Sequence, residues 1–322
     1  MDFKNEISFI INKKYVWEDS TIKFLDNYKM DAFGEGNYSV IDNYNIVAYF
    51  GCREHNIKFN DNYKEYISIR KDDLCVVTGR VLDVYYKKVI TFSLWGNNPT
   101  YTIGAIRNAE QAKNIYPDFE CWFYIHRESV PQEIINELQK FDNVKIIFKT
   151  GDLNTCKPAM WRFEAIDDPE VEIMLSRDTD SRFWLREKLA VEDWIKSGKI
   201  FHIMRDHPEH KSKISAGMFG TRKIPEIKKW KTLIDNYDVK KSYNFVYNNV
   251  LNYGNDQLFL EEFIYPKIKD NSIIHASFNK YEEHAKYFPI PFDKKYNFVG
   301  EYVYADESRN QDNINQLINF IL

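Results

Sequence analysis

Two aspartates separated by one residue, Asp178 and Asp180, stand in the run Met174-Leu175-Ser176-Arg177-Asp178-Thr179-Asp180-Ser181-Arg182. Neighbouring carboxylates repel, and at neutral pH they persist side by side with a cation or cationic side chains nearby. Their hard oxygens suit Mg2+ or Mn2+, ions often shared with the phosphates of a substrate. Val171–Leu175 just before them reads as a short buried strand, apolar enough for the centre of a parallel sheet. In open α/β sheets ligands collect where the strands end, so the pair emerges at a ligand-binding position. A solvated turn is the competing reading of so short a motif.

Spacing excludes one competing chemistry and leaves another as a distant alternative. A calcium loop of the EF-hand type needs an oxygen ligand fifth, Gly sixth and Glu twelfth. Counted from Asp178 those places hold Arg182, Phe183 and Leu189. A phosphatase of the haloacid dehalogenase type wants a small hydroxyl-bearing residue where Arg182 stands. Arg177 and Arg182 either relieve the repulsion through ion pairs or grip phosphate with their planar forks. Arg205-Asp206-His207 places a cation, an acid and a base in one loop, and Gly217 and Gly220 permit close backbone approach to a ligand. Asp256 is a candidate general base for a hydroxyl, or else the N-cap of a helix Gln257–Tyr265.

The elements that must position these groups fall into two regions. Residues 1–87 show short strand-like pieces between turn signals, the pattern of a small all-β module. They are Glu6–Ile11, Thr21–Leu25, Tyr38–Val40, Asn45–Phe50, Ile57–Phe59, Tyr66–Arg70 and Leu74–Val77. Trp17, Phe24, Met30, Phe33, Phe50 and Phe59 would fill its barrel or sandwich, and nothing in it combines a base, nucleophile or metal cluster. Residues 88–322 alternate strands with helices: strands Val89–Leu94, Glu120–Ile125, Val144–Phe148, Phe201–Met204 and Ser272–His275, and helices over Tyr101–Tyr116, Pro131–Phe141, Lys157–Ile166, Arg186–Ser197 and Pro225–Tyr237. That alternation predicts an α/β fold with a doubly wound, mainly parallel sheet. Trp95, Gly96 and Asn97, at the end of the first strand, lie where a nucleotide base or ribose would bind by the switch-point rule.

At 322 residues the chain is long enough for two domains. A net charge of −4 supplies no basic stripe for nucleic acid. No apolar run of about 18 residues spans a membrane, and the start Met1-Asp2-Phe3-Lys4 lacks the basic and apolar segments of a secretory leader. Cys52, Cys75, Cys121 and Cys156 are scattered without metal spacing and read as reduced thiols of a cytoplasmic protein. Aromatic residues make up 16% of the chain, which suits sugar stacking and a bulky core equally, so composition leaves the substrate open.

Five blocks in order carry a family resemblance: Phe92-Ser93-Leu94-Trp95-Gly96, Met160-Trp161-Arg162-Phe163, Arg177 to Arg182, Phe201-His202-Ile203-Met204-Arg205-Asp206-His207-Pro208, and Gly217-Met218-Phe219-Gly220. Together, over residues 88–304, the chain resembles nucleotide-sugar glycosyltransferases of the GT-A fold, including members from capsule-polysaccharide clusters and large DNA viruses. The β module is similar to the short N-terminal domain of some large-virus transferases. The resemblance implies that Asp178 and Asp180, with Thr179 between them, hold Mn2+ or Mg2+ on the diphosphate of a nucleotide sugar, with His275 as a further ligand. It also implies that Arg162 faces the nucleotide, and that Arg205, Asp206, His207, Gly217 and Met218 line the sugar or acceptor site.

The expectation is thus a cytoplasmic, DxD-containing enzyme, in the host cytoplasm if viral. It transfers a sugar, a hexose by resemblance, from a UDP-sugar to a hydroxyl on a glycan or protein, with Asp256 or Asp206 as catalytic carboxylate. The alternatives are a non-catalytic glycan- or protein-binding scaffold with a degenerate transferase domain, and a metal-dependent phosphohydrolase.

Overall fold

The computed structural model describes residues 10–321 apart from 12, 26, 62, 64, 82–86, 156, 225, 226, 228, 238–245, 248, 249, 252 and 253. The chain divides into two compact units, Met1–Tyr85 and Tyr86–Leu322. Among the described residues no helix is long and apolar enough to cross a membrane.

The first unit is an antiparallel meander of eight strands in sequence order: β1 (Lys14–Trp17), β2 (Ser20–Phe24), β3 (Lys29–Asp31), β4 (Glu35–Val40), β5 (Asn45–Phe50), β6 (Arg53–Phe59), β7 (Glu65–Arg70) and β8 (Val76–Arg80). Alternate side chains point inward, as a pleated strand requires, so Ile46, Ala48 and Phe50 of β5 are buried while Tyr49 is exposed. Tyr15, Trp17, Phe24, Phe59 and Tyr66 pack ring against ring inside. The sheet curls back on itself: Tyr15 bridges Val81, and the Tyr66 hydroxyl donates to the Val16 carbonyl at 2.7 Å. The sheet is thus rolled into a barrel-like form whose first and last strands approach each other at this seam.

Departures from the expected strands have local causes. β1 and β3 are short and Lys- or Asp-bearing, which hides their alternation. Most of Glu6–Ile11 lies outside the described residues. Phe33, expected inside, occupies the β3–β4 turn at φ 55° and is 62% exposed. Leu74 likewise takes a positive φ in a turn, so its strand begins only at Val76.

The second unit is built on a seven-stranded sheet. Its strands are β9 (Lys87–Leu94), β10 (Phe119–His126), β11 (Val144–Lys149), β12 (Val171–Arg177), β13 (Phe201–Arg205), β14 (Met218–Arg222) and β17 (Ser272–Ala276), while β15 (Val246–Tyr247) and β16 (Val250–Leu251) form a separate two-stranded ladder. The spatial order is β11-β10-β9-β12-β14-β13-β17, with all neighbours parallel except where β14 runs against β12 and β13. The chain steps outward from β9 to β11, then returns to lay β12 on the opposite side of β9. The strand order reverses between β9 and β12, the point at which the switch-point rule places a ligand crevice at the carboxyl ends.

Alternation along the strands sorts the core into two faces. Ile90, Phe92, Phe123 and Leu175 meet α1 (Pro99–Ile115), α2 (Gln132–Leu138) and α4 (Leu185–Ser197) on one side. Trp122, Met174, Ile203 and Phe219 meet, on the other, the segment after α3 (Lys157–Met160), then α5 (Trp230–Asn236), α6 (Asn255–Phe259) and α7 (Tyr265–Ile268). The doubly wound, mainly parallel sheet expected from the sequence is thus present.

Several element boundaries shift for physical reasons. The expected helix Lys157–Ile166 tightens after Met160 into a 3-10 run, Trp161–Asp167. Gly198 ends α4 at φ 71°, as its type favours. The helix expected over Gln257–Tyr265 begins at Asn255, capped by Gly254, and widens into a π turn at Leu260–Ile264. Pro266 follows in the next turn, where a missing N–H breaks the regular ladder. Of Pro225–Tyr237, residues 225, 226 and 228 lie outside the described set, and α5 occupies Trp230–Asn236. Gly220, expected to permit close approach to a ligand, lies inside β14, where an added Cβ would collide with Trp194 and Leu175. A final helix, α8 (Gln311–Ile321), was not foreseen.

Gly79 sits at the barrel seam, where an added Cβ would overlap the Val16 carbonyl and the Tyr66 ring. Gly79→Ala should lower stability by roughly 1–3 kcal/mol in urea unfolding followed by near-ultraviolet circular dichroism. An unchanged midpoint would mean that the seam is not closed as described.

Candidate active site

The crevice is framed by two loops leaving neighbouring parallel strands. After β9 the chain runs through Trp95, Gly96 and Asn97 to Asn98, whose side chain accepts from Thr100 N at 3.0 Å and caps α1. Gly96 adopts φ 72° and donates its N–H to Ser129 Oγ at 2.8 Å, which in turn bonds His126 Nδ1 at 2.9 Å. This loop is pinned, and Trp95 stays 37% exposed on it. After β12 comes the Asp178-Thr179-Asp180 loop.

That loop is held through its backbone. The Thr179 carbonyl accepts from Asn108 Nδ2 at 3.1 Å and from Arg182 Nη1 at 3.2 Å. Helix α1 reaches it because residue 104 is Gly, and an added Cβ would collide with that carbonyl. The Asp180 carbonyl accepts from Val303 N at 2.8 Å. With the backbone satisfied, the side chain of Asp178 is left 48% exposed. Gly217 lies so close that a Cβ there would strike Asp178 Oδ2. The glycine does provide close approach, but to the carboxylate itself.

Beneath the loop lies Arg162, on the 3-10 run. Its Nη1 donates to the Arg177 carbonyl at 2.7 Å and to Asp178 Oδ1 at 2.5 Å, and its Nη2 reaches Asp256 Oδ2 at 3.3 Å. Asp256 is not the helix cap, because Gly254 is, and it stands in the first turn of α6 facing the guanidinium. Three carboxylates therefore surround one cation. Arg182, the other nearby guanidinium, is committed to Glu307 at 2.8 and 3.1 Å. Burial, then the charge of Asp178, raises the Asp180 carboxyl to about 7. Burial also raises Asp256, with Asp178 adding to the effect and Arg162 opposing it.

Such a donor set fits a divalent cation. Among the described residues no three His, Cys, Asp or Glu side chains form a metal cage by themselves. Mg2+ and Mn2+, however, commonly take one or two carboxylates and complete their shell with water and substrate phosphate. Asp178 and Asp180 are the residues that would hold it, and its charge would offset the surplus of negative charge around Arg162.

The other expected site residues are placed elsewhere. Arg177 is turned into the core, where Nε meets Glu187 Oε1 at 2.7 Å and Nη1 meets the Ser176 and Phe219 carbonyls. Buried to 2% exposure, it offers no open face to phosphate, and Arg182 is a clamp on the loop. Arg205 is buried against Glu282 and donates to the Lys213 carbonyl at 2.5 Å. Asp206 receives both arms of Arg186 at 2.9 Å, the Ser277 hydroxyl at 2.6 Å and Val299 N at 3.1 Å. A carboxylate so fully occupied is a structural hub and no general base. His207 bonds the Asn313 carbonyl and stacks on Phe298. Met218 packs in a small cluster with Ala190, Met204, Phe288 and Val299. His275 is no ligand partner of the acidic pair: its Nδ1 meets His202 Nε2 at 2.8 Å and its Nε2 faces Asp193 at 3.1 Å, between the sheet and α4. Burial lowers its pKa to about 4.

Sequence reasoning missed Gly104, Asn108, Val303 and Glu307. Asn108 had a readable signal, a polar residue one helical turn after Gly104 on the same buried face as Ala105, Ala109 and Ala112. Val303 acts through its backbone, and Glu307 pairs across 125 residues, so neither leaves a local trace.

No family model and no curated protein matches the chain. Solved structures similar to it include a 4-diphosphocytidyl-2C-methyl-D-erythritol synthase from Anaerococcus prevotii, at 11% identity over 63% of this chain and 93% of that one, with a TM-score of 0.38. Another is a glycosyltransferase involved in the glycosylation of the major capsid of PBCV-1, at 16% identity over 59% of this chain and 81% of that one, with a TM-score of 0.35. Both likenesses are too distant to assign a function.

A carboxyl whose folded pKa is about 7 and whose ordinary value is 3.8 supports folding fully below the lower figure and loses that support as pH climbs through 7. Asp180→Asn should therefore be more stable than wild type at pH 8 without divalent cation, by up to roughly 4 kcal/mol, and nearly equal to it at pH 4. Thermal melting at the two pH values checks this, and equal melting at pH 8 would contradict the charge surplus. Arg162→Met should cost about 3 kcal/mol at pH 7 by stranding buried carboxylates. The loss should shrink at pH 5, measured by urea unfolding.

Proposed function

We propose that this protein is a metal-dependent glycosyltransferase of the GT-A type, moving a sugar from a nucleotide-sugar donor, a UDP-hexose foremost, to a hydroxyl acceptor. The observation that carries the reading is the gathering of Asp178, Asp180 and Asp256 about the guanidinium of Arg162 at the switch point, with Arg182 the other cation near them among the described residues. A crevice at the carboxyl ends of parallel strands is where such sheets bind nucleotides, and a surplus of carboxylate there calls for a cation carried in with phosphate.

In this reading Trp95 offers an exposed indole to the base or ribose, and the Gly96 turn fixes its position. Asp178 and Asp180 would hold the metal, which would supply positive charge against a departing diphosphate. Arg162 keeps Asp178 in place and spans to Asp256. Asp256, on the helical layer facing the loop, takes the proton of the acceptor hydroxyl, a role for which a raised carboxyl pKa is suited. The backbone clamp of Asn108, Arg182 and Val303 holds this geometry before substrate arrives, which is how electrostatic stabilisation becomes effective.

The test is thermal melting against a panel of nucleoside diphosphates with and without Mn2+. Mass action raises the stability of a protein whose native state alone binds a ligand, by about 2.7 kcal/mol at a hundredfold excess over Kd. A Mn2+-dependent shift selective for UDP is expected in wild type and should vanish in Asp180→Ala. No shift with any nucleotide would overturn the reading in favour of a non-catalytic scaffold.

A further inference from the structure

On the outer face of the first unit, strand alternation turns aliphatic side chains toward water. Strand β7 buries Tyr66 and Ser68 and leaves Glu65, Ile67 and Ile69 exposed. The same alternation continues to Lys71, which is exposed and pairs with Glu54 at 2.9 Å. On β8, Val76 stands directly across from Ile69 and Thr78 directly across from Ile67, both of them exposed as well. Leu74 adds to this face from the turn just before β8. Ile67, Ile69, Leu74 and Val76 are between 41% and 71% exposed. Together they present roughly 400 Å2 of apolar surface, the size of a functional patch on a monomer.

We infer that this face is the interface of a homodimer, covered by a second copy of the chain. The argument is charge complementarity. Outward positions along β7 read acid, apolar, apolar, base: Glu65, Ile67, Ile69, Lys71. A two-fold axis lying between two such faces and crossing β7 at Ser68 sets the two β7 strands antiparallel. Ile67 then packs on Ile69 of the second copy, and Glu65 meets Lys71 of the second copy, each contact occurring twice by symmetry. Val77 lies across from Ser68, so the same axis lays Val76 over Thr78 of the second copy. Both charged partners have capacity left. The Lys71 ammonium carries three donors and Glu54 takes one, while Glu65 accepts a single bond from Asn60 Nδ2 at 3.3 Å. With the strands parallel, each charge would face its own kind, and that arrangement is disfavoured. The rim carries both signs, Lys58 and Arg80 beside Glu54 and Glu65, so the face does not suit an anionic lipid surface. The apolar centre is half of the ~800 Å2 that each partner gives to a standard interface. Asn56 and Lys58 on β6 extend it, and the dimer is of moderate affinity.

Sedimentation velocity of the full chain between about 1 and about 100 µM tests this, a range that brackets a micromolar dissociation constant. Wild type should pass from monomer to dimer across it. Ile69→Glu, which buries a charge without a partner, should raise the dissociation constant by about thirtyfold or more. Glu65→Lys and Lys71→Glu should each weaken the dimer by about tenfold. The double variant should return to within about threefold of wild type, because the swapped charges face each other again. All these side chains are exposed in the monomer, so far-ultraviolet circular dichroism should not change. Carbodiimide cross-linking of mixed light and isotope-labelled wild type should join Glu65 to Lys71 between copies, and needs no variant. A wild type that stays monomeric throughout overturns the inference and leaves the face to a different protein. A dimer that Ile69→Glu leaves intact also overturns it, as does a double variant no tighter than the single ones.

Discussion

One guanidinium determines the geometry of the acidic corner. Arg162 enters from a 3-10 turn on one helical layer and donates to the last carbonyl of β12, to the first carboxylate after it and to Asp256 on α6. A buried cation is tolerated only when its donors are engaged and its charge is compensated, so the 3-10 run, β12 and α6 are locked into one relative position. Compensation overshoots, however. Burial, with the charge of Asp178 adding to it, raises the proton affinities of Asp180 and Asp256 beside Arg162.

The remaining arginines around the crevice serve a different purpose. Arg177 with Glu187, Arg182 with Glu307, Arg186 with Asp206 and Arg205 with Glu282 all have buried guanidinium groups. Glu307 and Glu282 lie 125 and 77 residues from their arginines, while Arg186 and Asp206 gather α4, the ends of β13 and β17 and the chain at Val299. The planar fork of arginine suits such multipoint struts better than lysine does. Because breaking a buried pair strands a charge, these struts fix loop positions sharply, even where replacing a whole pair by apolar groups would stabilise as much.

Much of the fold was legible because it is written in short-range patterns. Alternation and apolar runs marked β5, β9 and β12, and Gly198 marked the end of α4. The acidic loop was legible for the same reason, since its two carboxylates are near neighbours at a strand end. What stayed hidden depends on distance. Whether Arg162 or Arg177 faces Asp178 is set by which way a helix and a strand turn their side chains. Asp206 and His207 looked chemically able, yet Ser277, Val299 and Asn313, each more than 70 residues away, occupy their polar atoms. His275 resembled a ligand in type and order, but a neighbouring strand places His202 against it.

The clamp on the acidic loop also has a bearing on biosynthesis. Asp178 to Arg182 leave the ribosome well before Val303 and Glu307, which supply a backbone donor to Asp180 and the partner of Arg182. Contacts across such separations close late, because the intervening chain must first be ordered. A nascent polypeptide thus exposes its paired carboxylates without their final geometry until that later segment has emerged and docked. Any shortened form that stops before residue 303 has the aspartates but lacks the element that sets them.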